Sequence, residues 1–405
     1  MKNILIVFFV IVIAFTSNVF SQFGQPHCGS QLDFEEMQRT DSARYRRFMD
    51  YEHLLQTQLL NSRSIPSGVI TIPVVVHIVY NTNAPQENIS STQIDAQIQV
   101  LNEDFRRLNA DAVKTPLGFR YVAADTEFEF KLATVDPNGN ATTGITRTAT
   151  SVNGFSQNND VKFTSSGGHD TWDAQRYLNI WVCNLIDPVY PLTNILGYST
   201  FPQDLATNPN LDGVVIKYTC FGVGGHTLSP YNKGRSTTHE VGHWLDLRHL
   251  WGDPPFVYNI SCAYDDGVAD TPPQYEPTYG CSVYPKKDPC TQMIYTGIMF
   301  MNYMDYTDDA CKNLFTQGQK NRMRALFDDQ NGLRRNMLGH CLTGPFWVNF
   351  ANETVTSDST VKSCGNIDVE DVSVTNNAKL KLEAPGKVTI NHNFSVPVGS
   401  TLEIK

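Results

Sequence analysis

The chain has 405 residues, 41% hydrophobic and 18% charged, long enough for two or three domains around a sizeable core. Its formal net charge of −10 and pI near 5.4 argue against nucleic acid or an anionic membrane surface as partner. Nine cysteines suggest disulfides in an exported protein, with one thiol left over.

Residues 1–21 carry Lys2, an apolar run over 4–15 and then small and polar residues, the layout of a secretory signal peptide rather than a membrane span. No later stretch is apolar and long enough to cross a bilayer, so the expected mature protein is secreted. Residues 22–64 read as a prosegment: Cys28-Gly29, a charged helix-prone stretch over 33–58, then Arg63 as a cleavage point. A thiolate is a strong zinc ligand, so Cys28 can hold a metal in a latent form; the plainer alternative is an ordinary disulfide. The eight other cysteines allow 105 pairings, and spacing does not choose among them.

From residue 70 the chain changes character. Residues 70–80 predict a buried strand, in which His77 reads as a core histidine. Residues 91–107 predict a helix capped by Ser91 or Thr92, with Ile94, Ile98, Leu101 and Phe105 as its apolar stripe. Further strands are predicted at 128–135, 177–183 and 211–218. A short edge strand at 196–201 would be open to main-chain pairing with an extended peptide.

The stretch 238–249 reads Thr-His-Glu-Val-Gly-His-Trp-Leu-Asp-Leu-Arg-His. His239 and His243, at i and i+4, share one helical face and can reach a single zinc ion. Glu240 stands beside them, placed to take a proton from a water that the ion polarises. His249 lies six residues on, roughly 240° around a continuous helix, so the helix must end for it to join them. The turn falls at Asp246, a position wanting left-handed backbone, which Gly, Asn and Asp tolerate best. Ser236 to Thr238 are available as caps. Beyond, residues 250–292 form a long irregular region, and Asp265, Asp266, Asp270 and Thr271 make a candidate calcium loop. Asn302-Tyr-Met304-Asp-Tyr306 would put a methionine beneath the histidines and a tyrosine hydroxyl near the scissile carbonyl. Residues 316–338 predict a closing helix.

Residues 342–405 turn to short β runs. Val372-Ser-Val374 with Leu380-Lys-Leu382 is echoed 22 residues later by Phe394-Ser-Val396 with Leu402-Glu-Ile404, which suggests stacked β-coils.

With these motifs in place, residues 22–341 resemble the pappalysin family of metzincin zinc endopeptidases, especially its secreted bacterial members. That resemblance implies zinc on His239, His243 and His249, Glu240 as general base, Met304 as the Met-turn and Tyr306 as the assisting tyrosine. It also implies disulfides Cys262–Cys290 and Cys281–Cys311, calcium in the loop after the zinc helix, and a latency role for Cys28. The departure is Asp246, where the family usually has Gly. The tail is similar to β-rich tail domains of proteins exported by gliding bacteria, which implies the cell surface or the secretion machinery as its partner.

The expected architecture is α+β. A signal peptide (1–21) and prosegment (22–64) precede a metzincin-like catalytic domain (65–341), with a twisted mixed sheet, a zinc helix and an irregular C-terminal subdomain, and then a small all-β module (342–405). The expected function is hydrolysis of protein or peptide substrates by a zymogen-derived zinc endopeptidase. The competing reading is a surface-binding module with a structural or degenerate zinc site. Against it, a purely structural site wants a fourth protein ligand and no base beside it.

Overall fold

The structure, a computed structural model, describes residues 26–60, 68–186, 194–253, 261–328, 332–338, 347–363, 366–384 and 387–405. The expected signal peptide and cleavage point near Arg63 lie outside these residues, as do Cys341 and Cys364.

A seven-stranded mixed sheet runs through the larger unit, in the order β1 (Pro26–Cys28), β6 (Asn194–Ser199), β7 (Val214–Lys217), β5 (Leu178–Cys183), β2 (Ile70–Asn81), β3 (Phe128–Leu132). β2 is long enough to carry β3 along its first half and β4 (Ile145–Thr150) along its second. Its near-continuous run of Val and Ile is buried on both faces, as strands inside parallel sheets are. His77 is a core histidine, as expected: its ring nitrogens lie 2.8 Å from the Thr146 hydroxyl and 3.0 Å from Asn179 Oδ1, and burial pushes it down to about 3.

Among the described strands of this sheet only β6 and β7 run antiparallel to each other. The edge strand predicted at 196–201 is β6, shifted to Asn194–Ser199, and it is not free: β1 pairs along it in parallel, with Cys28 opposite Gly197. After β1 come α1 (Gly29–Thr40) and α2 (Ser42–Leu60), two helices where one was expected, broken at Asp41. Helix α3 (Ser91–Phe105) is capped by Ser90, one residue earlier than predicted, and buries Ile94, Leu101 and Phe105.

Helix α4 (Arg235–Trp244) packs on β6 and β7. It starts from Gly234 at φ +73 with no side-chain cap, so Ser236 to Thr238 do not cap it; Thr238 donates to Asp104 at 2.8 Å instead. The closing helix is shorter than predicted. A capping box of Thr316 and Gln319 opens α5 (Gln317–Ala325), and after a turn α6 (Arg335–Leu338) follows separately. The amide of Arg334 folds back onto the carbonyl of Leu326, which rules out a straight helix through this region. Disulfides Cys262–Cys290 and Cys281–Cys311 staple the irregular stretch, while Cys183 and Cys220 are buried free thiols and not disulfide partners.

The tail forms two three-stranded parallel sheets. One joins β8 (Trp347–Val355), β10 (Asn366–Val374) and β12 (Val388–Ile390); the other joins β9 (Ser359–Lys362), β11 (Lys379–Glu383) and β13 (Thr401–Ile404). Leu380 faces Leu402 and Leu382 faces Ile404, so the 22-residue echo is the register of stacked coils. Ile367, Val369, Val372, Val374, Leu380 and Leu382 fill the interior.

Candidate metal centre and active site

The geometry begins with the end of α4. Asp246 adopts φ +72, the left-handed turn expected of it, and the chain doubles back so that His249 returns to the helix. The three Nε2 atoms of His239, His243 and His249 then lie 3.1 Å from one another in every pairing. Each Nδ1 is anchored elsewhere: His239 on the Tyr303 carbonyl at 2.8 Å, His243 on the Leu247 carbonyl at 2.7 Å, His249 on Asp253 Oδ1 at 2.5 Å. Carbonyl oxygens only accept, so the first two rings carry their proton on Nδ1 and turn a bare lone pair inward. Burial, with the neighbouring imidazole charges, pushes His243 down to about 3 and His239 well below the ordinary range. Three buried lone pairs cannot satisfy one another. A cation at their centre resolves the arrangement, and Nδ1 anchoring of this kind is how metal-bound histidines are oriented.

A fourth donor completes the group. Cys28 Sγ lies with the three Nε2 atoms in a cluster whose members are all within 4.8 Å of one another. The thiol also donates to Glu240 Oε2 at 3.3 Å, and Ser30 Oγ donates to the same oxygen at 3.2 Å. Burial raises the Cys28 thiol and pushes Glu240 up to about 8. Tyr306 is buried against Cys28 and Trp251; its hydroxyl accepts from the Cys28 amide at 3.3 Å and donates to Gln31 at 3.3 Å. Met304 lies directly under the helix: a Cβ on Gly242 would come 2.5 Å from its sulfur, so Gly in the middle of the motif is what lets the turn approach.

The carboxylates of the expected calcium loop have other engagements. Asp266 accepts from the Thr271 hydroxyl at 2.8 Å and the Val268 amide at 3.1 Å. Asp270 accepts from the Thr316 hydroxyl at 2.6 Å and the Gly318 amide at 2.8 Å, at the start of α5, and Asp265 holds the Gly267 amide. Burial pushes Asp266 up to about 8.

Three further residues belong to the site and escaped the sequence reading. Asp253 orients His249, the Trp251 ring stacks on His249 at 4.5 Å between centroids, and Ser30 holds Glu240. A carboxylate four residues past the last histidine is a usable signal for the first; the others depend on the tertiary fold.

A family model for M43 peptidases, described as pregnancy-associated plasma protein-A, matches residues 162–328. An extracellular metalloprotease of Arthroderma benhamiae is 32% identical over 268 residues, 64% of this chain and 72% of that relative. The chain belongs to the M43, or pappalysin, family of metallopeptidases. Among solved pappalysin structures, a promirolysin variant from Tannerella forsythia is 54% identical at a TM-score of 0.70, covering 76% of this chain and 96% of that one. Mature mirolysin from the same organism, in complex with a cleaved peptide, is 56% identical at a TM-score of 0.63, covering 67% of this chain and 96% of that one. This pappalysin is a metalloendopeptidase with the metzincin fold. Among its described residues no helix is long and apolar enough to cross a membrane.

Proposed function

We propose that the protein is a secreted zinc endopeptidase made as a latent zymogen, with His239, His243 and His249 as the zinc ligands. The observation that carries the reading is the convergence of three inward-facing Nε2 atoms beside a buried glutamate, with Cys28, the one further donor among the described residues, on the N-terminal segment. That segment, residues 22–64, follows a signal peptide over 1–21 and precedes the catalytic domain, 65–341. The names of the fungal extracellular metalloproteases support export, and the promirolysin relative supports a proenzyme form.

When bound, zinc would supply Lewis acidity, polarising the scissile carbonyl and bringing a water's pKa toward neutrality. Glu240 takes the proton of the attacking water and returns it to the leaving amine. Tyr306, once Cys28 and Gln31 withdraw, turns its hydroxyl to the tetrahedral oxyanion. Met304 floors the site, and Asp246 makes the turn that returns His249. Until the N-terminal segment is cut near Arg63, Cys28 fills the fourth position and its neighbour Ser30 ties down Glu240. Calcium is a separable part of the reading. Asp266, a buried carboxylate held by the neutral Thr271 hydroxyl and Val268 amide, is its strongest support, with Asp265, Asp270 and Thr271 beside it. The β-coil tail, 342–405, serves as an accessory module for attachment or export.

The test is casein hydrolysis by the intact chain and after brief trypsin treatment, with and without a zinc chelator. The expected result is activity that appears on trimming and vanishes with chelator. Glu240→Gln should retain zinc and lose turnover by roughly 10⁴-fold or more, and Cys28→Ser should be active untrimmed. Zinc retained with no cleavage in either form would leave a binding protein and not a peptidase.

A further inference from the structure

Helix α3 buries a polar stripe beside its apolar one: Gln93, Gln97 and Asp104. At i, i+4 and i+11 the three share one face of the helix. Buried polar groups cost free energy unless they are paired, so their partners say what the stripe is for. Gln93 holds the Phe221 carbonyl at 2.8 Å. Gln97 donates to the Gly234 carbonyl at 3.0 Å and accepts from the Thr237 hydroxyl at 2.9 Å, both at the start of α4. Asp104 accepts from the Tyr303 hydroxyl at 2.7 Å, the Thr238 hydroxyl at 2.8 Å and the Arg235 guanidinium at 3.5 Å. A carboxylate suits this point, because it only accepts and every neighbour arrives as a donor.

The partners of Asp104 reach His239 from two directions. Thr238 immediately precedes it on α4. Tyr303 immediately precedes Met304, and its main-chain carbonyl is the acceptor that anchors His239 Nδ1. One carboxylate thus ties the helix that carries this histidine to the loop that orients its ring. The other two histidines have no such dependence. His243 is anchored on Leu247 and His249 on Asp253, each four residues further along the chain. The anchor of His239 is 64 positions away, and its place relative to α4 is set by tertiary contacts such as those of Asp104.

We propose that Asp104 is a positioning residue for the metal centre: through Tyr303 and Thr238 it fixes the His239 ring and so tightens zinc binding. The inference rests on the zinc reading above.

The experiment uses the protein after trimming and removal of the cut segment, so that Cys28 contributes nothing. Zinc affinity is measured by competition with a chelator, and the ligand geometry by the visible spectrum of the cobalt-substituted protein. Asp104→Ala should raise the zinc Kd by about 10- to 100-fold, the range found for groups that orient metal ligands, and should shift the cobalt bands. Should that variant fail to fold, Tyr303→Phe removes the hydroxyl alone and should move both readouts the same way, by about tenfold in Kd. Thr238→Ser keeps a hydroxyl and should leave both where they were. Ile78→Val, a truncation in the sheet core, gives the baseline for a purely structural loss: a lower unfolding midpoint with Kd and spectrum unmoved. If Asp104→Ala and Tyr303→Phe behave like Ile78→Val, the assignment falls and the peptidase stands. If the unmodified protein takes up no zinc, the zinc reading falls as well.

Discussion

The peptidase unit and the β-coils solve the same problem by opposite means. Among the described residues the coils bury aliphatic side chains with little besides Ser363 and keep their charges outside, in pairs such as Lys379–Glu403 and Lys362–Glu383 across neighbouring strands. The peptidase unit buries whole ion pairs. Arg334 meets Asp212 at 2.9 Å and lies over the Trp244 ring at 3.6 Å, while Arg322 is held by Glu52 at 2.5 Å and Asp246 at 3.0 Å. The reason lies in the backbone. A stacked coil satisfies its amides and carbonyls through its own ladder, coil upon coil. Where α4 ends and the largely irregular stretch begins, two main-chain carbonyls find donors in arginines: Arg322 Nε on Asp246 O at 2.6 Å, Arg334 Nε on Trp244 O at 3.1 Å. Buried guanidinium groups therefore close the end of the zinc helix, beside the site.

That contrast can be broken from either side. The largest effect is expected from Arg334→Met, which strands Asp212 in the interior. Removing one partner of a buried pair costs about 3–5 kcal/mol, read as a lowered midpoint of the peptidase unit in thermal unfolding. Leu380→Ala in the coils should cost about 2–5 kcal/mol by leaving a cavity, yet leave casein hydrolysis after trimming unchanged. A parallel fall in activity would show that the coils support the site.

Asp246→Gly sharpens the comparison further. Glycine takes φ +72 without strain, but it removes a partner of Arg322. In the untrimmed chain Glu52 still pairs that guanidinium; once the segment has been cut and has dissociated, it does not. The variant should therefore lose about 1–3 kcal/mol more after trimming than before, on the scale of a hydrogen bond to a charged group. Equal losses in both forms would mean that Arg322 finds another acceptor.

Glu52 also sets a pH dependence. Burial works against its ionisation, but Arg322 and Arg248 prevail and hold it well below the usual value of 4.5. A depressed carboxylate contributes stability that is complete above its unfolded pKa and is lost as pH falls through the lower folded value. The N-terminal helices should thus stay docked at mildly acidic pH and loosen only in strong acid, followed by gel filtration of the nicked protein. Glu52→Gln should lower their retention at neutral pH and remove the acid step. Smallest of all, Lys379→Ala breaks an exposed pair on the coils and should leave the unfolding midpoint where it was.

The features legible in the sequence were those set by local geometry. The His-Glu-x-x-His spacing, the left-handed turn at Asp246, the continuous apolar run of β2 and the 22-residue repeat each follow from one helical or strand period. What escaped was set at a distance or lacked contrast. β4, Ile-Thr-Arg-Thr-Ala-Thr, is mostly half-exposed and carries no apolar run to announce it. The break between α1 and α2 falls at Asp41 without Gly or Pro to mark it. Arg334 finds Asp212 across 122 positions, and a residue's own neighbours say nothing of such a partner.

The N-terminal segment touches the peptidase unit at well-separated points: Cys28 at the histidines, Arg44 on Asp204 at 2.5 Å, and Glu52 on Arg322. Such a segment is multivalent, and cutting the chain after it abolishes only the covalent tether, with every contact still made. On the zymogen reading, the cut product is a complex of enzyme and high-affinity peptide inhibitor. Its specific activity should rise with dilution, so that the protein stays quiet where it is concentrated, at its source, and awakens as it spreads.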